Sequence, residues 1–195
     1  MAIYEYISGN LVELTPAIAV VDQGGIGYLI QISLQTYATL RGKQKVVLLT
    51  EEVIREDSHT IFGFASAEER EMFRLLITVS GIGPNTARMM LSSLTTPDIR
   101  RAVQTDNVNL LKSVKGVGVK TAQRVIIDLR DKIGKTEEAG GILQDQGNTS
   151  KDEALSALEV LGFVRKTSER VVEKIIKENP DGSVEYIIKQ ALKNL

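Results

Sequence analysis

The pattern of apolar and polar positions changes character twice along the 195-residue chain. The first part alternates in the manner of strands. Ile3–Leu14 and Ala17–Asp22 are rich in β-branched and apolar residues and are separated at Thr15-Pro16. Gly24-Gly25 marks a turn before Gly27–Ile32, where Tyr28, Ile30 and Ile32 alternate. Lys45–Ile54 and Thr60–Phe64 supply two more strands around the turn Arg55-Glu56-Asp57-Ser58, and Ser33–Leu40 fits a short helix after the third strand. From Ser66 the period lengthens to that of a helix, with Met72, Phe73, Leu75, Leu76 and Val79 on one face. Ser66-Ala67-Glu68-Glu69 reads as a capping box opening that helix. Thr96-Pro97-Asp98 caps a helix through Gln104, Asp106-Asn107 starts a short one, and another runs from Val119 to Ile133 and stops at Gly134. Apolar periodicity is then lost over Lys135–Thr149, which reads as a flexible linker. Ser150-Lys151-Asp152-Glu153 reads as a second capping box, opening a helix to Leu161; Thr167–Glu178, stopped by Asn179-Pro180, and Ser183–Asn194 follow.

These elements predict an α+β multidomain chain. Residues 1–64, with five strands and a helix after the third, suit a small closed barrel of the oligonucleotide-binding (OB) type. Residues 65–134 hold five helices, 135–149 the linker, and 150–195 three short helices. In the last segment Leu155, Leu158, Leu161, Phe163, Val171, Val172, Ile175, Ile187, Ile188 and Leu192 mostly build a core, and any left exposed would form a docking patch.

The helical middle is written twice. LLITVSGIGPNTARMMLSSL (75–94) aligns without a gap to LLKSVKGVGVKTAQRVIIDL (110–129), an offset of 35 residues. Each copy reads helix, apolar-Gly-apolar-Gly turn, helix. A Gly-x-Gly turn that opens a helix leaves amide N–H groups without intrahelical partners, and with the helix dipole these suit a phosphate. Lys120 and Arg124 lie four apart on one face beside the second turn, with Lys115 flanking it. The first turn has Asn85 where the second has Lys120, with Arg88 nearby. A P-loop needs Gly-Lys-Ser/Thr at the helix start, and a dinucleotide fingerprint needs a third glycine and a preceding strand; neither is here. A tandem helix-hairpin-helix gripping DNA backbone fits every position. A helical repeat whose glycines only permit tight packing is the plain alternative. A hairpin-containing DNA glycosylase would need a catalytic residue after the turn, for which Asp128 and Asp131 are the candidates, though solvent-facing roles suit them better.

Charge sharpens this picture. Net charge is −1 overall, but it divides into −3 over residues 1–64, +5 over 65–135 and −3 over 136–195. Positive charge is concentrated on the repeat, as expected of a nucleic-acid footprint. The absence of cysteine leaves no Cys-based zinc site or thiol nucleophile, and the single histidine, His59, argues against a His-based metal cluster or Ser-His-Asp triad; no metal, cofactor or catalytic residue is assigned. No apolar run approaches the ~20 residues that span a bilayer, and the N-terminus has no signal-peptide pattern, so a cytoplasmic protein is the simplest expectation. Glu56 and Asp57, adjacent at a hairpin tip, are solvated turn residues, a rigid acidic point that would repel phosphates and keep strands apart, or paired catalytic carboxylates for Mg²⁺, for which no further acidic ligand converges.

The order of an acidic small barrel, two Gly-x-Gly hairpins, a linker and a three-helix, UBA-like tail closely resembles the RuvA family of bacterial Holliday junction-binding subunits. The N-terminal YISGNLVE and the run Arg55–Phe64 carry the resemblance as well. It implies a homotetramer, formed by the barrels, that holds a four-way junction open and nearly flat, with a second tetramer able to cover the other face. It assigns DNA-backbone contacts to Gly81, Gly83, Asn85, Thr86, Arg88, Lys115, Gly116, Gly118, Lys120, Thr121 and Arg124, and an acidic pin at the junction centre to Glu56 and Asp57 beside Arg55. The tail would dock on RuvB, the hexameric ATPase motor of branch migration, with Leu158, Leu161, Ile187 and Ile188 as candidate contacts. The RuvC resolvase is a further implied partner. The chain itself would hydrolyse nothing.

Overall fold

A computed structural model of the chain describes residues 3–140, 146–179 and 182–195. They fall into two compact units, residues 1–137 and 138–195, each taken by itself below.

The first unit begins with β1 (Tyr6–Leu14), β2 (Ile18–Gln23), β3 (Ile26–Ile32), α1 (Leu34–Leu40), β4 (Lys45–Ile54) and β5 (His59–Phe64). The strands close into a barrel in the order β1-β2-β3-β5-β4, with β3 and β5 parallel and the other pairs antiparallel. Alternation along the strands turns Ile7, Ala19, Val21, Ile30, Ile32, Val46 and Leu48 inward, where they pack with Leu40 of α1. A register shift between Leu11 and Glu13 bends β1 between its two partners. Two glycines are required by space. A Cβ on Gly9 would sit 2.1 Å from the Asp22 carbonyl oxygen, and one on Gly63 would sit 2.4 Å from Ile30 Cγ2. The first strand starts at Tyr6 and not at Ile3, because the Ile3 and Tyr4 amides donate to the Glu52 carboxylate, each at 2.7 Å.

Five helices follow: α2 (Ala67–Ile77), α3 (Pro84–Ser93), α4 (Thr96–Gln104), α5 (Val108–Lys112) and α6 (Val119–Gly140). The barrel and these helices share one core across residues 64 and 65. Phe62 and Phe64 of β5 each lie 5.0 Å, centroid to centroid, from Phe73 of α2, and join Met72, Leu76, Met90, Leu91 and Leu111. The expected helix starts fare differently. The cap of α4 is Thr95, one residue before the expected Thr96, and it forms a complete capping box with Asp98. At α2, Ser66 accepts from the Glu69 amide at 3.2 Å, but the Glu69 carboxylate turns inward to the hydroxyls of Ser33 and Thr36 at the start of α1.

Glu69 is thereby buried, and burial pushes its carboxyl up, against the hydrogen bonds from Ser33, Thr36 and the Ala65 amide. A carboxyl raised in the folded state gives stability that is present below its unfolded pKa and lost as pH rises through the folded value. As pH rises from below the ordinary glutamate range towards neutrality, the wild type should therefore lose stability relative to Glu69→Gln, measured by urea unfolding at both ends of that range. Parallel pH dependence in the two proteins would contradict the burial effect.

The second unit contains α7 (Gln146–Val160), α8 (Arg165–Glu178) and α9 (Val184–Asn194). Helix α6 continues past Ile133 and Gly134, and α7 begins before Ser150, so the run Ser150–Glu153 lies inside a helix and is not a cap. Residues 141–145 of the expected linker, and Pro180 of the expected stop after α8, lie outside the described residues. Ala154, Leu155, Leu158, Val172, Ile175, Ile187 and Ala191 form the core. Leu158 and Ile187, expected as docking contacts, are 0% and 2% exposed and are core residues, because they face the other two helices of the bundle. Leu161 is exposed and Ile188 half-buried. The prominent apolar surface is instead the α7–α8 corner, where Val160, Leu161 and Val164 surround Gly162, which takes φ 94°. Among the described residues no helix is long and apolar enough to cross a membrane.

Candidate nucleic-acid interface

The sequence repeat is a repeat of hydrogen bonds. In the first hairpin the Thr78, Val79 and Ile82 amides donate to Leu75, Leu76 and Val79, and the Ala87 amide donates to Gly83. In the second, Ser113, Val114 and Val117 donate to Leu110, Leu111 and Val114, and Ala122 donates to Gly118. The hydroxyls of Thr78 and Ser113 cap the same carbonyls, Leu75 and Leu110, both at 2.7 Å. Ile82 and Val117, each 5% exposed, pin the turns to the core from between the glycines.

The glycines have separate tasks. Gly81 and Gly116 take φ 93° and 92°, the left-handed conformation that glycine adopts without cost. Gly83 is extended and serves as the N-cap of α3, with no side-chain cap, ahead of Pro84. With Gly118 equally exposed, both turns present backbone rather than side chains to solvent. Polar side chains stand beside them: Asn85 is exposed and Thr86 and Thr121 are half-buried.

The two turns stand side by side. The position a Cβ would take on Gly81 is 3.7 Å from Thr121 Oγ1, and Arg124 donates to Ser80 Oγ at 3.3 Å. Ser80 gave no signal in the sequence beyond its place before a glycine. Lys132 closes the far side with a 2.9 Å bond to Thr78 Oγ1. Lys115 and Lys120 are exposed beside the second turn and, among the described residues, have no ion-pair partner. The second turn is thus a backbone cradle flanked by Lys115, Lys120 and Arg124, a geometry suited to anionic oxygens.

Arg88 does not join this group. From α3 its guanidinium points into the barrel and donates to the carbonyls of Ala17 and Ile32, at 3.4 and 3.3 Å. Its Nε is buried without a partner, and burial pulls the group below its ordinary value. Gln35 of α1 binds the same helix from the other direction, donating to the Leu91 and Leu94 carbonyls at 2.5 and 2.8 Å. Arg88 is therefore a strut between barrel and hairpin. Other cations of the helical region are also taken: Arg70 pairs with Glu5 and Arg74 with Glu51, both at 2.6 Å.

The β4–β5 tip lies on the same unit. Ile54 and His59 form its last pair, and the Arg55 amide closes the loop on the Ser58 carbonyl at 2.7 Å. Arg55, Glu56 and Asp57 are exposed, and among the described residues neither carboxylate has a cation within ion-pair distance. Below the tip, Glu52 is anchored. Burial alone would raise its carboxyl, but hydrogen bonds from the Tyr4 amide, His59 and the Ile3 amide hold it below the ordinary value. Among the described residues no group of His, Cys, Asp and Glu could hold a metal ion.

Comparison with known proteins covers nearly the whole chain. Residues 4–63 match the RuvA N-terminal domain, 73–131 a SAM-like tandem helix-hairpin-helix, and 150–195 the RuvA C-terminal domain. The chain is 54% identical over 190 residues to the Holliday junction branch migration complex subunit RuvA of Flavobacterium psychrophilum, covering 97% of this chain and 98% of that one. It is 50% identical over 199 residues to the protein of the same description from Bacteroides thetaiotaomicron, covering 98% and 99%. The counterpart in Cytophaga hutchinsonii is 43% identical over 194 residues, covering 96% and 98%.

Proposed function

The chain belongs to the RuvA family, and on that premise we propose that it binds four-way DNA junctions through backbone phosphates and couples them to a separate branch-migration ATPase. The observation that carries the reading is the pair of Gly-x-Gly turns held side by side, with Lys115, Lys120 and Arg124 exposed beside the second. Backbone contacts position a protein on DNA and carry no sequence information. Selectivity for a junction then comes from assembly. Four copies in a homotetramer gain affinity by multivalency only where four arms match their spacing. The barrel would form the centre of that tetramer, and a second tetramer would cover the opposite face.

Glu56 and Asp57 would stand at the crossover, where two exposed carboxylates repel phosphates and keep the strands apart. The C-terminal unit would dock on the RuvB motor, with Val160, Leu161 and Val164 as the contact surface. RuvC would act on the same held junction. Catalysis would belong to these partners, and the setting would be cytoplasmic.

A gel-shift titration of the full chain on a four-way junction, with linear duplex of equal length as competitor, tests the reading. Junction preference that weakens steeply with salt is expected. Equal affinity for the two DNAs would overturn the geometric account.

A further inference from the structure

The two hairpins match in backbone but not in charge, and we propose that Arg55 supplies the cation that the first hairpin lacks, holding a DNA backbone phosphate together with Asn85. The proposal rests on the junction-binding reading and adds a phosphate subsite to it.

At the 35-residue offset, Lys115, Lys120 and Arg124 of the second copy correspond to Ser80, Asn85 and Met89 of the first. Every cation beside the second turn is thus an uncharged residue beside the first. Arg88, the nearest cation in the first copy's own sequence, is spent on the carbonyls of Ala17 and Ile32. Yet the first turn presents the same exposed backbone as the second, with Gly81 and Gly116 at nearly identical φ.

The barrel restores the missing charge. A cleft of about 110 Å³ lies between the base of the β4–β5 tip and the start of α3. Val53 and Phe62 line it together with Arg55, Ser58 and Thr60 from the β-hairpin and Pro84 and Asn85 from the helix. Arg55 is the only charged residue in this lining; Glu56 and Asp57 are not part of it. The cleft is therefore positive, and its remaining polar side chains are two hydroxyls and one amide, all able to donate. The Arg55 side chain has no ion-pair partner among the described residues, and the tip is closed by its backbone amide, so the guanidinium is not needed to shape the loop. A guanidinium and an amide lining one cleft suit a phosphate oxygen. The triplet Arg55-Glu56-Asp57 then divides its work: the first residue attracts the backbone of an arm, and the next two repel the strands at the crossover.

The test uses the full chain in salt titrations on a four-way junction, comparing wild type with Arg55→Gln, Asn85→Lys and the double variant. Strand separation is read from 2-aminopurine fluorescence at the junction centre, and urea midpoints check the fold. Arg55→Gln is expected to weaken junction binding about tenfold and to lower the log–log salt slope by about 0.9 for each protomer engaged. Asn85→Lys in that background should restore both, because it returns a cation to the position that Lys120 occupies in the second copy. Fluorescence at saturating protein should be unchanged by Arg55→Gln. An unchanged salt slope, or altered strand separation that Asn85→Lys does not correct, would overturn the proposal and make Arg55 part of the pin. If wild type shows no junction preference, the broader reading fails on its own, while a lowered slope for Arg55→Gln on linear duplex would still uphold the phosphate contact.

Discussion

Reversing two charges, Lys120→Glu with Arg124→Glu, is expected to reduce junction affinity at least about a hundredfold at moderate salt while leaving the fold intact. Both side chains are exposed, and among the described residues the pair contributes one side-chain hydrogen bond, from Arg124 to Ser80. Surface substitutions of this kind stay within about 0.5 kcal/mol of wild-type stability. Their effect on DNA is of a different size. Each phosphate contact contributes about 0.9 to the salt slope, so two lost contacts per protomer flatten the titration, and the new carboxylates repel the backbone besides. An equilibrium gel shift at several salt concentrations reads both quantities. Retention of the wild-type slope would mean that the second turn does not meet phosphate.

The second large effect concerns the motor. Val160→Asp with Val164→Asp should leave junction binding unchanged and reduce stimulation of RuvB ATPase activity at least about tenfold. The side chains of these valines are 88% and 69% exposed and lie outside the buried core of the bundle, and the carbonyl by which Val164 caps α8 is kept in the variant. Burying one such side chain against a partner contributes roughly 1.5–3 kcal/mol, and an aspartate there would be desolvated without a mate. The comparison that isolates docking from folding is Leu158→Ala. That residue is wholly buried, and its loss should cost about 2–5 kcal/mol of stability in the C-terminal unit. Normal ATPase stimulation by the double valine variant would move the docking surface elsewhere on the tail.

These experiments separate what could be read from the chain from what could not. The strands and the two hairpins were legible because their signals are local. Alternation marks β3 and β4, and Gly81 and Gly116 mark left-handed turns at a fixed offset. Arg88 was not legible. An arginine two residues after a threonine at a Gly-x-Gly turn looks like a phosphate ligand until the barrel is seen packed behind α3. Glu69 failed for the same reason: its spacing from Ser66 is that of a capping box, and only the arrival of α1 gives its carboxylate better partners. In the tail, helical spacing identified apolar residues but could not decide which face looks inward, so Leu158 and Ile187 were grouped with Leu161. The helix limits near Gly134 and Ser150 were misjudged because single glycines and serines are tolerated inside helices at a modest propensity cost.

Glu52 has a practical consequence for anyone preparing the protein. Its carboxylate receives the amides of Ile3 and Tyr4 and the ring of His59, so the beginning of the chain is stitched to the strand that ends in the acidic tip. A substitution at Glu52, made to place a reporter near the tip, would release the Ile3 and Tyr4 amides and the His59 ring together, so reporters are better attached at exposed positions that take no part in this stitch.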